Sequence, residues 1–156
     1  MADAVKSRLA ELGLTLPVSA APVANYVPFH VVDGMVYTSG QLPITEKGLA
    51  CTGRLGADVD LAAGVEAAKL AALQVIAKLN DATDGNLDRI EKILRVDVFV
   101  ASAVDFYNQP EVGNGASDLF VAVFGEAGRH TRNAVGVAVL PRNAPVEVTV
   151  IAKLKA

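Results

Sequence analysis

The sequence predicts a single α+β domain, with one mixed β-sheet carrying helices on one face. Three observations predict it. Helix-like and strand-like segments follow one another without strict alternation, in the order α, β, β, α, β, α, β, β. Leu61 to Leu79 repeats apolar residues at helical spacing, whereas Leu94, Val96, Val98 and Val100 recur at period two. Finally, 156 residues, 52% hydrophobic and 20% charged, are enough for one packed core without disulfide or metal staples.

Residues 1–24 read as an N-terminal helical extension and linker on a domain spanning 1–156. Asp3 to Leu12 forms a short amphipathic helix through Val5, Leu9 and Leu12; Gly13 stops it, and Pro17 and Pro22 mark extended chain. A hairpin follows. Tyr26 to Val32 and Met35 to Ser39 flank the turn dipeptide Asp33-Gly34, with Pro28 demanding an edge or bulge. Gly40 to Asp58, with four glycines and Pro43, reads as loop.

Asp60 is placed to cap the Leu61 to Leu79 helix, whose apolar face is Leu61, Val65, Ala68, Ala72, Val75 and Leu79. After the polar break Asn80 to Asn86, Leu87 to Lys92 reads as a helical turn and Ile93 to Ala101 as a strand. Arg95 and Asp97 point away from that strand's apolar face. A second helix runs from Asn114, read as its cap, to Phe124, and Gly125 ends it. Strands Ala134 to Leu140 and Val146 to Leu154 close the chain, joined by Pro141 to Pro145. Helices on one sheet face leave the other in need of cover, and association of copies through the sheet is the natural solution. The mean hydropathy of +0.37 fits that cover, and fits equally an alanine-rich composition with no such meaning.

The formal charge is −3 and no basic tract occurs, which disfavours indiscriminate nucleic-acid binding. Cys51 is the single cysteine, so no internal disulfide forms, and one cysteine with two histidines makes a zinc site improbable. Neither a signal-peptide core nor an apolar stretch of membrane-spanning length is present in the sequence, which reads as cytoplasmic with no membrane partner. GxSxG, GxxxxGK[ST], CxxC and HExxH are all missing, and His30 and His130 have no evident nucleophile partner in sequence.

Four segments carry a resemblance: NYVPF (Asn25 to Phe29), YTSGQLP (Tyr37 to Pro43), HTRNAV (His130 to Val135) and LPRNAPVEV (Leu140 to Val148). Each alone is weak; their order and wording together resemble the RidA/YjgF family, also called the L-PSP endoribonuclease family, across Tyr26 to Leu154. The resemblance implies a chorismate-mutase-like fold, a homotrimer with ligand clefts at subunit interfaces, and hydrolysis of reactive 2-enamine or 2-imine acids without a cofactor. It implies a substrate-carboxylate anchor at Arg132, a water-placing carboxylate at Glu147, and cleft walls at Tyr26, Ser39 and Ala134. Archetypal members often have cysteine at the position of Ala134, and the archetype reads GPY where this chain reads NYVP. The extra N-terminal helix and the Gly- and Asn-rich stretch Asn108 to Asp118 point to a longer-chain branch.

The chemistry is sensible on residue type alone. A guanidinium grips a carboxylate bidentately and keeps its charge at any working pH. A carboxylate can orient water and relay protons at an already electrophilic imine carbon. Each residue also has a structural alternative: an ion pair for Arg132, a solvent-facing or arginine-paired strand position for Glu147, a backbone bond near the turn for Ser39, and core or interface filling for Tyr26. Gly34, Gly40 and Gly136 read as serving backbone geometry or close packing, and Cys51 as unreactive. The same residues also suit a non-catalytic trimer that binds small carboxylates. An endoribonuclease is the reading the acidic charge disfavours.

Overall fold

The computed structural model describes residues 3–21 and 23–156; Pro22, one of the two prolines read as marking the linker, lies outside them. The elements in order are α1 (Ala4–Glu11), β1 (Phe29–Val32), β2 (Met35–Thr38), β3 (Ile44–Thr45), β4 (Gly48–Leu49), α2 (Leu61–Ala82), β5 (Ile90–Ala101), α3 (Gln109–Phe124), β6 (Thr131–Val137) and β7 (Val146–Leu154). Five strands form one mixed sheet in the order β1-β2-β7-β5-β6, in which only β5 and β6 run parallel. β3 and β4 make a separate two-stranded hairpin inside the stretch read as loop. The fold is α+β, as the sequence predicts.

The hairpin turn is as expected. Asp33 (φ 51°) and Gly34 (φ 73°) both take the left-handed backbone that a tight two-residue connection needs. β1, however, begins only at Phe29, because Pro28 cannot donate to a ladder. β5 also corrects a detail. A register shift between Ile93 and Arg95 turns Ile93 into the core and leaves Leu94 only half-buried, so the inward series is Ile93, Val96, Val98, Val100. Leu87–Arg89 forms a single turn of 3₁₀ helix before β5, shorter than the helical turn expected to Lys92.

Core packing is set by small residues. Ala67, Ala68, Ala71 and Ala72 of α2 are buried, letting the helix lie close to its neighbours, while Val75, Ile76 and Leu79 fill the space against the sheet. Asp60 caps α2, its carboxylate accepting from Ala63 N at 2.8 Å. α3 crosses α2 at Gly115, where an added Cβ would lie 2.0 Å from the Val65 carbonyl oxygen.

The helix read as starting at Asn114 starts five residues earlier, at Gln109, and Asn114 is not its cap. Pro110 in the first turn is the signal for that start. Of the glycines in this stretch, Gly115 serves close helix packing and Gly113 close approach to Arg132 and Ala134 on β6.

α1 docks through buried Leu9 and through its first turn. Asp3 caps it, and the Asp88 carboxylate accepts from Ala4 N (2.9 Å) and Val5 N (3.1 Å). The chain after it straps across α2, where Lys78, 5% exposed, donates to Ser19 Oγ and to the Ala20 carbonyl.

β7 alternates cleanly: Val146, Val148, Val150 and Ala152 are buried under the helices, and Glu147, Thr149 and Ile151 lie on the opposite face. Register places Phe99 beside Glu147, and Val135 beside Phe99, on that same face. Among the described residues no helix packs there, and Val135 and Tyr37 remain 44% and 45% exposed.

Candidate functional site

The first group of predicted site residues gathers beyond the start of β1, where the chain leaving β2 runs on alone. Past Thr38, the backbone of Gln41 pairs with Val148 on β7 (2.8 and 2.9 Å), carrying Ser39 and Gly40 alongside the start of β7. Glu147 projects there. A Cβ on Gly40 would sit 2.1 Å from Glu147 Oε1, so the absence of a side chain is what admits the carboxylate. The φ of Gly40 is not in the left-handed region; its role is close approach, one of the two roles read for it.

A cavity of about 410 Å³ opens beside this carboxylate. Tyr26, Gly40, Gln41, Glu147, Arg142 and Lys78 are among its walls, with Val18, Ala20, Ala21 and Val23 of the strap at its rim. Glu147 is half-buried and has no ion pair among the described residues. Burial pushes its carboxyl above the usual range, because the charged form loses water without gaining a cation. The arginine-paired alternative for Glu147 is therefore not what the structure contains.

Tyr26 lines this cavity and also a neighbouring groove of about 470 Å³ formed with His30, Tyr37 and Ser39. It is 55% exposed, so it is a wall and not core filling. The Ser39 hydroxyl donates to the Val27 carbonyl at 2.6 Å, tying the segment before β1 to the end of β2. That is the backbone bond expected as its structural alternative, and it stations Ser39 on the groove.

Arg132 and Ala134 stand elsewhere. β6 begins at Thr131, three residues earlier than expected, so Arg132 is a strand residue. It pairs with Val96, and its side chain lies on the helix face of the sheet beside α3. Glu147 lies on the other face, two strands and roughly 10 Å of sheet width away. Within one chain Arg132 and Glu147 do not meet.

The surroundings of Arg132 are informative. Nη1 donates to Asn114 Oδ1 (2.9 Å) and Ser117 Oγ (3.2 Å), and Nη2 to the Pro110 carbonyl (3.3 Å). All three partners are neutral, and no carboxylate pairs with it among the described residues. Nε–H and one Nη2–H have no partner among those residues. A half-buried guanidinium held by neutral acceptors with two donors spare is arranged to receive an anion. Gly113 makes the room: a Cβ there would lie 3.2 Å from both Nη1 and the Ala134 Cβ.

Sequence gives Asn114 a capping role, does not reach Ser117, and places His130 near Arg132 with no evident nucleophile partner. In the structure its Nε2 is 2.8 Å from Ser117 Oγ and its Nδ1 is 2.6 Å from the Gly128 carbonyl. Its ring stands edge-on to Phe120 at 5.9 Å. Asn114 and Ser117 are three apart on α3, a spacing that puts both on one helix face; only the position of Pro110 could have revealed that this stretch was helical.

Cys51 is half-buried, with its thiol pushed up by burial and by Asp60, against any reactive role. Among the described residues no group of three metal-ligating side chains occurs, and no helix is long and apolar enough to cross a membrane.

Comparison with known proteins agrees with this architecture. A family model described as "YjgF/chorismate mutase-like, putative endoribonuclease" matches residues 6–154. Protein TCP17 of Trypanosoma cruzi is 47% identical over 151 residues, covering 96% of this chain and 94% of that protein. The crystal structure of Atu1372 from Agrobacterium tumefaciens is similar at 45% identity and TM-score 0.92, over 98% of this chain and 94% of that one. E. coli TdcF with bound serine is similar at 27% identity and TM-score 0.59, over 86% and 92% of the two chains. The fold is therefore YjgF/chorismate-mutase-like, and the chain belongs to the RidA/YjgF family.

Proposed function

We propose that this chain hydrolyses reactive 2-enamine and 2-imine acids to 2-oxo acids and ammonia, in clefts completed by a second copy of itself. The carrying observation is the division of the site. One edge of the protomer presents a guanidinium with unspent donors, the opposite face presents an unpaired carboxylate beside a cavity, and the sheet face between them has no cover of its own. A closed homotrimer brings one copy's Arg132 to the next copy's Glu147 and covers the apolar residues Val135, Phe99 and Ile151.

The chemistry follows from these groups. Arg132 binds the substrate carboxylate and holds C2 of the protonated imine over the cavity; Tyr26, Ser39 and the backbone near Ala134 line the space. Water adds to C2 as Glu147 removes one of its protons, giving a carbinolamine. Glu147 returns that proton to nitrogen. A hydroxyl lone pair then closes the C=O bond, the C2–N bond breaks, and ammonia departs, taking up the remaining hydroxyl proton as ammonium. A carboxyl raised by burial suits a group that must both accept and return a proton near neutral pH. Bound serine in TdcF supports an amino-acid-like carboxylate as the ligand class. RNA cleavage, the activity in the family description, finds no basic tract in this chain.

The test generates 2-aminoacrylate in situ with a PLP-dependent dehydratase and follows ammonia release. Wild type accelerates it and Arg132→Ala does not. Tight binding of 2-oxo acids without acceleration would replace this reading with a carboxylate-binding trimer.

A further inference from the structure

We infer that His130 and Ser117 act as positioning residues, forming a hydrogen-bonded relay that fixes the Arg132 guanidinium in its anion-receiving orientation. The inference rests on the reading of Arg132 as the carboxylate anchor and adds the residues that aim it.

The direction of each bond follows from chemistry. The Gly128 carbonyl can only accept, so His130 Nδ1 carries the proton at that 2.6 Å contact. In the neutral ring Nε2 is then an acceptor, and the Ser117 hydroxyl donates to it at 2.8 Å. With its proton committed, Ser117 Oγ turns a lone pair toward Arg132 Nη1–H at 3.2 Å. Asn114 accepts the other Nη1 proton at 2.9 Å. Both protons of Nη1 are thereby tied to α3, and the unspent donors are confined to Nε and Nη2.

The neutral ring is the one the fold holds. Burial, with Arg132 as a lesser cause, pushes the His130 pKa below its ordinary value. The edge-on contact with Phe120 fixes the ring plane. Neither Ser117 nor His130 lines the cavities described above, which separates this pair from a nucleophile and its base. Gly113, in the same turn of α3, leaves the guanidinium its space.

Two readouts test the relay. The first, independent of any activity, is the order of the Arg132 Nε–H bond by NMR relaxation. It is rigid in wild type, mobile in His130→Ala and Ser117→Ala, and restored in His130→Gln, whose Oε1 takes the place of Nε2 as acceptor. The second is calorimetry with 2-oxobutyrate. His130→Ala weakens binding on the order of 10-fold, as for a lost hydrogen bond that leaves its partner unsatisfied. Placed on Arg132→Ala, the same change has no further effect. An Arg132 as rigid in His130→Ala as in wild type overturns the relay, as do effects of the two changes that simply add. If wild type fails to bind 2-oxobutyrate while Arg132 order still depends on His130, the relay stands and the carboxylate-anchor reading falls.

Discussion

Replacing Gly40 by alanine separates the proposed deaminase activity from folding. The new Cβ would stand 2.1 Å from Glu147 Oε1, 2.8 Å from Cδ and 3.1 Å from Cγ, whereas ordinary contact begins at 3.4 Å. Relief requires the carboxylate to retreat by about 1.3 Å, the difference between the contact distance and 2.1 Å. The atoms displaced end a flexible side chain beside an open cavity, and the φ of Gly40 suits any residue, so the backbone need not move. Forcing Glu147 from its rotamer costs about 0.5–1.5 kcal/mol. Stiffening the unfolded chain returns about 0.4–1 kcal/mol. The net falls within ~1 kcal/mol, a change in Tm of a few degrees at most.

The catalytic effect is larger, because a 1 Å misplacement of a working group lowers the rate on the order of 100-fold. Ammonia release from 2-aminoacrylate, read with thermal melts on the same samples, checks both halves. In a Glu147→Gln background the alanine should add almost nothing to the rate loss. Near wild-type turnover in Gly40→Ala would refute the reasoning, as would a loss independent of Glu147.

Three further outcomes follow from the same contacts. Glu147→Gln abolishes turnover yet stabilises the fold in alkaline solution: the folded pKa is raised, so burying the charge is unfavourable above it. The gain vanishes below the unfolded value of about 4.3, and denaturation midpoints across pH read the crossover. Asp88 behaves oppositely, because hydrogen bonds from Ala4 N, then Val5 N, hold its carboxyl below the usual range. Its stabilisation is complete above about pH 3.9 and is lost as pH falls through the folded pKa, so the amide protection factors of Ala4 and Val5 fall in acid, and Asp88→Ala shows the same lowered protection at neutral pH. Gly115→Ala drives a Cβ against the Val65 carbonyl and destabilises by about 1–3 kcal/mol, visible as a lowered urea midpoint.

Much of the fold was legible because local rules act on few residues at a time. Asp60 capping α2, the Asp33-Gly34 turn and the alternation of β7 are each decided within one turn or one strand. The misreadings share a different cause. Gly113 and Gly115 lower helix propensity by about 1 kcal/mol each, so α3 reads in sequence as starting only at Asn114. Their reason lies 50 residues before in Val65 and 19 after in Arg132, contacts that periodicity cannot show. Leu94 gave way to Ile93 because a bulge is a property of two strands together.

The candidate site was legible through its motif words but not through its geometry. Nothing in sequence placed Arg132 and Glu147 on opposite faces, and nothing joined His130 to Ser117, since both follow from the parallel pairing of β6 with β5 and the docking of α3 beside it.

The central claim is that Arg132 of one copy works with Glu147 of another. The measurement is complementation between Arg132→Ala and Glu147→Gln, each inactive alone, after mild dissociation and reassembly of an equimolar mixture. In a ring of heterologous interfaces about one cleft in four receives an intact residue from both sides, so about a quarter of wild-type activity returns. A mixture that reassembles fully and stays inactive would contradict the shared cleft and return both residues to separate, single-chain roles.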